Sequence, residues 1–138
     1  MPPYQPSRLA VGAIAFLALI NLVRGAIHLF STEGGLSDIA GLDIEQGREM
    51  TLFFIGAVGV GQITFAMIDF WVALRQRAFV LPLLVIHQIG LVLSLFLFFV
   101  QRPLPVVVPG QYGAVASFVI IGFITAREIL LRMKYDKG

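Results

Sequence analysis

The sequence contains no cysteine. This absence excludes disulfide bridges, thiolate metal sites, iron–sulfur clusters and cysteine nucleophiles. Charge is also scarce: charged residues make up 13% of the 138 residues, compared with about 25% in ordinary soluble domains. A soluble domain of this size has a large surface for its volume and needs polar groups to cover it. The shortage therefore excludes a soluble globular enzyme as the default expectation.

Hydrophobic residues make up 58% of the chain and fall into four long runs. Each run is close to the roughly 20 residues that a helix needs to cross about 30 Å of hydrocarbon. Continuous runs favour helices over the alternating segments of a membrane barrel. The predicted spans cover about residues 9–30, 51–74, 79–100 and 112–131.

The segments between these runs define the order of the fold. The short connection 75–78 makes the second and third spans an antiparallel hairpin. The connection 31–50 is either a solvated acidic loop or a short turn at the membrane interface, and closely spaced prolines keep residues 102–110 non-helical. We therefore predict an all-α fold, an integral membrane antiparallel four-helix bundle over residues 9–138 with a flexible head at residues 1–8.

Lysine and arginine fall mainly on the side of the predicted bundle that holds both termini. An excess of these residues marks the cytoplasmic side of a membrane protein, so both termini are expected in the cytoplasm. Because the basic residues are scattered and form no patch, we expect the lipid bilayer and no nucleic acid as the partner. Seven basic residues lie on the side of the termini and two on the other: Arg8, Arg75, Arg77, Arg127, Arg132, Lys134 and Lys137, against Arg48 and Arg102.

The first and second spans carry polar residues at helical spacing in the half that is expected to face outward. Asn21, Arg24 and His28 share one stripe, and Gln62 belongs to a similar stripe on the second span. Such groups usually turn toward the interior of a bundle, where they are candidates for binding a ligand. In the other interpretation, Arg24 reaches the outer boundary or pairs with an acidic residue, Glu33 or Glu49.

A second group of polar residues lies in the inner half: Asp69, His87, Thr125 and Glu128. The hairpin turn brings Asp69 to about one helical turn from His87, so a contact between them is predicted as one option. A carboxylate beside an imidazole can handle protons. The same contact can instead be an interhelical hydrogen bond that only holds the bundle together.

Metal and cofactor sites are not expected. His28 and His87 lie on opposite sides of the membrane midplane, about 15 Å apart along its normal. They cannot ligate one iron within a single subunit. The Glu-x-x-His spacing of carboxylate-bridged metal sites is also missing from the sequence.

Small residues four positions apart mark possible helix contacts. This spacing lets two helix backbones approach closely, either inside the bundle or against a membrane-protein partner or a second copy of the chain. The pairs are Ala57 with Gly61, Gly90 with Ser94, Gly113 with Ser117 and Gly122 with Ala126.

Several motifs resemble small, uncharacterised four-helix membrane proteins of bacteria. They are the segment 24–30, Gly34-Gly35, the segment 39–43, the segment 59–62 and Pro109-Gly110. In length and layout the chain is also similar to DoxX-like proteins. The resemblance implies a four-helix fold and names no activity. The expected location is the bacterial cytoplasmic (inner) membrane.

Three functions are compatible with these patterns. The favoured one is a non-catalytic accessory or assembly subunit, or scaffold, of a membrane complex; it predicts close small-residue contacts and no roomy internal cavity. The alternative is a site for a lipid-soluble small molecule such as a quinone, including as partner of a redox enzyme, which predicts a cavity that reaches Arg24. The third is proton-coupled transport by an oligomer. No enzymatic activity is favoured.

Overall fold

The structure, a computed structural model, describes residues 4–103 and 107–137. Residues 1–3 of the predicted head, residues 104–106 of the predicted second loop and residue 138 lie outside the described residues. All regular structure within the described residues is helical. The long helices are α1 (Arg8–Phe30), α2 (Arg48–Arg75), α3 (Val80–Phe96) and α4 (Pro109–Tyr135).

Short helical turns flank α3, namely a 3₁₀ turn (Arg77–Phe79) before it and a π-helical turn (Leu97–Gln101) after it. With these two turns, α3 belongs to a helical segment that runs from Arg77 to Gln101. This segment and the other three helices are each long and apolar enough to cross a membrane. The protein is therefore described as a multi-pass membrane protein. The four helices that the apolar runs predicted are confirmed.

The ends of two helices differ from the predicted spans. The prediction that residues 102–110 are non-helical is wrong for Pro109 and Gly110, which form the first turn of α4. Proline is favoured at the first helical position, because its missing N–H has no partner there in any helix. The buried side chain of Gln111 accepts a hydrogen bond from the N–H of Val108 (3.0 Å) and completes this cap. At its other end α4 continues to Tyr135, because a helix can extend beyond the apolar part that hydropathy detects.

The chain divides into two compact units, one formed by residues 1–15 and 71–138 and the other by Phe16–Phe70. In the first unit, α3 packs on α4. The side-chain amide of Gln88 donates a hydrogen bond to the carbonyl of Phe118 (3.3 Å) and lies against Gly122. The buried apolar side chains of this unit include Ile14, Val80, Leu81, Leu84, Ile121 and Ile124.

The second unit is organised by a close crossing of α1 and α2 at Gly25 and Gly59. A Cβ atom added at Gly59 would lie 2.8 Å from the carbonyl oxygen of Gly25, and one added at Gly25 would lie 2.8 Å from that of Gly59. Only glycine allows this approach. Because lipid is as apolar as a leucine side chain, such close packing replaces the hydrophobic effect in holding helices together.

In the connection between α1 and α2, residues 32–40 form hydrogen-bonded turns, whereas most of residues 41–47 are exposed. Gly34 and Gly35 adopt positive φ angles of 60° and 76°, which residues with a Cβ rarely adopt. Both glycines are buried, and Gly34 packs against Ile55 of α2. The connection thus folds back onto the helices that it joins.

The Gly25–Gly59 crossing leads to a prediction about stability. The substitution Gly59→Ala places a methyl group against a backbone carbonyl, which can give way only if the two helices separate. We expect the free energy of unfolding to fall by about 1–3 kcal/mol, measured by denaturant titration in mixed micelles. The control is Gly61→Ala on the same helix, since no described atom lies within 4 Å of its Cβ position. Equal losses in the two variants would contradict the crossing.

Candidate functional site

The last third of α4 carries a fully buried carboxylate, Glu128. Its Oε1 accepts hydrogen bonds from the hydroxyl of Tyr4 (2.5 Å) and from the backbone N–H of Ser7 (2.7 Å). Its Oε2 accepts the hydroxyl proton of Ser7 (2.7 Å) and lies 3.9 Å from Nη1 of Arg127. A buried carboxylate is tolerated when it is both paired and hydrogen-bonded. These four residues are called the Glu128 site.

Ser7 joins the Glu128 site to the start of α1. Its Oγ accepts hydrogen bonds from the N–H of Ala10 (3.2 Å) and from Nη1 of Arg127 (3.2 Å), and it donates its own proton to Glu128. A hydroxyl has one proton and two lone pairs, so every hydrogen-bonding position of Ser7 is used. The bond to Ala10 is a side-chain cap at a helix N-terminus. The positive end of the α1 dipole also favours the negative charge of Glu128 at this point.

Tyr4 closes the site from the side of the N-terminal segment. Its ring packs edge-on against Tyr135 with centroids 5.7 Å apart, and the guanidinium of Arg132 lies 5.9 Å from its ring centre. Burial, together with the hydrogen bond to Glu128, raises the pKa of Tyr4 from 10.0 to about 12. The sequence prediction of a flexible head at residues 1–8 did not include these contacts.

The arrangement determines what the Glu128 site can do chemically. An ionised carboxylate offers about four positions for hydrogen bonds, and Glu128 already has Tyr4, both donors of Ser7 and the nearby Arg127. It therefore acts as an anchor between the N-terminal segment and α4. A base for a bound substrate would need a free position.

The other predicted inner residues are Thr125, Asp69 and His87. Thr125 lies one turn before Glu128 and is buried, but its hydroxyl donates to the carbonyl of Ile121 (2.7 Å) within α4. Asp69 is fully buried and belongs to the second unit, whereas His87 is half-buried and belongs to the first. The predicted pairing of Asp69 with His87 stays a prediction.

Among the four outer candidates, Asn21, His28 and Gln62 differ from Arg24 in burial. The three are half-buried on α1 and α2. The side chain of Arg24 is exposed, whereas the polar stripe is expected to turn inward. With Gly25 turned toward α2, the preceding residue points about 100° away around the helix. The long apolar stem of arginine tolerates this position, because it can carry the guanidinium toward the membrane boundary.

In the other interpretation Arg24 pairs with Glu33, but no ion pair between these two side chains is found among the described residues. The carboxylate of Glu33 lies instead 3.5 Å from Nη2 of Arg48, the first residue of α2. A hydrogen bond from Ser37, together with Arg48, lowers the pKa of Glu33 below its usual value. This contact ties the connection between α1 and α2 to the start of α2.

A groove of about 580 Å³ lies between the end of α1, the following turn and α2. His28 and Gly56 are among its lining residues, together with Phe53 and Val60. The described lining does not contain Arg24, Asn21 or Gln62, so the predicted cavity reaching Arg24 is not the one observed. The carbonyl-type Oε1 of Gln62 is buried without a hydrogen-bond partner among the described residues.

The imidazole of His28 is held in one orientation at this groove. Its Nδ1 lies 2.7 Å from the carbonyl oxygen of Gly34. A carbonyl can only accept, so Nδ1 carries the proton and, in the neutral ring, the lone pair lies on Nε2. His28 can therefore offer an acceptor at Nε2 to another molecule.

Sequence reasoning missed Tyr4 and Ser7. A usable signal was present for Ser7, because serine directly before a long apolar helix is a typical N-cap. No local pattern links Tyr4 or Ser7 to Glu128, since more than 120 residues separate them. Tertiary contact alone brings them together.

Within the residues described, no three histidine, aspartate or glutamate side chains gather as metal ligands would. Comparison of the chain with protein-family models, with curated proteins and with solved structures gives no match. The likeness to bacterial four-helix proteins and to DoxX-like proteins therefore stays a prediction.

The raised pKa of Tyr4 predicts a pH dependence of stability. The folded state favours the protonated phenol, so this stabilisation is complete below about pH 10 and is lost as the pH rises toward about 12. We expect the thermal midpoint in detergent to fall less steeply over this range in Tyr4→Phe than in the unchanged protein. Tyr112→Phe, which alters an exposed tyrosine of α4, is the control and keeps the steep fall. Identical slopes in all three proteins would refute the assignment.

Proposed function

We propose that this protein is a non-catalytic accessory or assembly subunit, or scaffold, of a complex in a bacterial cytoplasmic membrane. In this proposal its helices form an antiparallel bundle with both termini in the cytoplasm. The observation that carries the proposal is a set of helical glycines whose free space no other part of the described chain uses. Three of them lie at small-residue spacing, namely Gly61 on α2, Gly90 on α3 and Gly113 on α4.

A helical glycine is costly unless something approaches it closely. Glycine in a helix interior is about 1 kcal/mol less favourable than alanine. At Gly25 and Gly59 the crossing of two helices uses the missing side chain, whereas no described atom lies within 4 Å of a Cβ at Gly61, Gly90 or Gly113. Each of these three also has a small residue four positions away. The spacing suits a helix of another chain.

The polar groups support the same proposal. Glu128 is engaged by Tyr4 and Ser7, and the hydroxyl of Thr125 is engaged by its own helix. A proton carrier needs a carboxylate that can exchange its partners with water, so the contacts of Glu128 argue against transport. Basic residues are in excess near the N-terminus and near the C-terminal ends of α2 and α4. This excess supports the proposed orientation.

The groove at His28 favours the second candidate, a site for a lipid-soluble carbonyl compound such as a quinone. It has the size of a ligand pocket, and Nε2 of His28 can interact with a polar group. Under this alternative a short-chain ubiquinone analogue raises the thermal midpoint, His28→Leu abolishes the rise, and Arg24→Gln retains it, because Arg24 is outside the lining. No rise in the unchanged protein would exclude the quinone site.

The subunit proposal is tested by the mass of the purified assembly in mild detergent. We expect a complex larger than the 15.1 kDa chain, and we expect Gly61→Leu, Gly90→Leu or Gly113→Leu to weaken it about tenfold or more, since a leucine in a close helix contact costs about 1–3 kcal/mol. The thermal midpoint of the dissociated chain does not fall, because no described atom lies within 4 Å of a Cβ at these positions and leucine favours a helix more than glycine does.

The matched control is Gly12→Leu on α1. At Gly12, too, no described atom lies within 4 Å of a Cβ, but the residues four positions away, Arg8 and Phe16, are large. This variant retains the assembly. A bare monomer of the unchanged protein, both in mild detergent and in lipid nanodiscs, would overturn the proposal.

A further inference from the structure

The surface of α4 near its C-terminus contains a groove of about 330 Å³. Its lining combines two basic side chains with apolar ones: Arg127 and Lys134 with Phe123, Ala126, Leu130 and Leu131. All of these belong to one helix, so the groove does not depend on the arrangement of the other helices. The combination of a charged part and an apolar part is the feature that requires an explanation.

The two ends of the groove differ along the helix axis, one being basic and the other apolar. Arg127 and Lys134 are two helical turns apart, about 10 Å along the axis, and Phe123 lies about 6 Å before Arg127. Lys134 therefore occupies the end of the groove that is nearer the helix terminus, and Phe123 occupies the end nearer the middle of the apolar span, with Arg127, Leu130 and Leu131 between them. A phospholipid has the same order, with a phosphate at the membrane boundary and acyl chains toward the middle.

The positive charge in the groove is available to a ligand. Among the described residues no carboxylate lies within ion-pair distance of Lys134. Arg127 contacts Ser7 and lies 3.9 Å from Glu128, yet 43% of its side chain remains exposed. A guanidinium has five N–H donors, so one contact with Ser7 leaves donors for a phosphate.

We propose that this groove binds an anionic phospholipid, with its phosphate between Arg127 and Lys134 and one acyl chain along Ala126 and Phe123. The charge complementarity carries the assignment, since basic side chains near the membrane surface attract anionic headgroups. The volume is near the lower limit of ligand pockets, about 300 Å³, and suits a headgroup phosphate with part of one chain. The proposal is independent of the subunit function.

The test uses the full-length protein in zwitterionic detergent, to which dioleoyl-phosphatidylglycerol or dioleoyl-phosphatidylcholine is added. Binding is followed by native mass spectrometry, and folding by the thermal midpoint without lipid. We expect preferential binding of phosphatidylglycerol. One basic residue near an anionic lipid contributes roughly fivefold to binding, so Arg127→Gln with Lys134→Gln lowers the affinity about 25-fold.

Two comparisons separate this groove from a general attraction to charge. The control double variant Arg77→Gln with Lys137→Gln removes the same charge outside the groove and retains the preference. Ala126→Leu fills the apolar end without any change of charge, and it weakens the binding of phosphatidylglycerol but not that of inorganic phosphate.

If the loss of Arg127 disturbs the Glu128 site, the single variant Lys134→Gln still tests lipid binding in the groove. It leaves the lipid-free thermal midpoint unchanged and lowers the affinity roughly fivefold. Equal binding of the two lipids, or equal losses in the groove and control double variants, would overturn the proposal. Displacement of the lipid by a co-purified protein seated on α4 would overturn it as well.

Discussion

In a hydrocarbon environment a polar group has no water to bind, so each one needs a partner within the protein or a path to the membrane boundary. Most described polar groups follow this constraint, and the buried Oε1 atoms of Gln62 and Gln88 are exceptions without a partner among the described residues. The backbone is helical throughout the apolar runs, and hydroxyl groups such as those of Thr64 and Thr125 donate to carbonyls one turn earlier in the same helix. The buried Glu128 uses the segment before α1 for the same purpose. The N-terminal segment is thus part of the folded protein.

The same environment changes what holds helices together. Apolar side chains gain little by leaving lipid for the protein interior, so contact depends on close approach and on buried polar groups. Gly25 and Gly59 provide the close approach in one unit, and Gln88 against Gly122 provides a polar contact in the other. Gly61, Gly90 and Gly113 offer the same kind of surface, and no described residue of the chain occupies it. This difference is the physical basis of the proposed subunit function.

Charged side chains that are not buried must reach the boundary of the membrane, where they meet lipid headgroups. Arg24 is exposed on α1, and Arg127 and Lys134 are exposed on α4 beside apolar side chains. Arg127 belongs to two environments at once, since it contacts Ser7 of the Glu128 site and lines the α4 groove. The anchor of the N-terminal segment and the proposed lipid contact therefore share one guanidinium.

The amino-acid sequence by itself determined the helical class, the four spans and the turn at Gly34 and Gly35, because apolar length and glycine conformation are local properties. The same local reasoning placed the start of α4 three residues late, since hydropathy does not detect the cap formed by Pro109 and Gln111. Tertiary structure alone decided that Tyr4 and Ser7 bind Glu128 and that Arg24 is exposed. Helical periodicity groups residues on one face, but the direction of that face depends on which residue allows the closest approach of a neighbouring helix. On α1 that residue is Gly25.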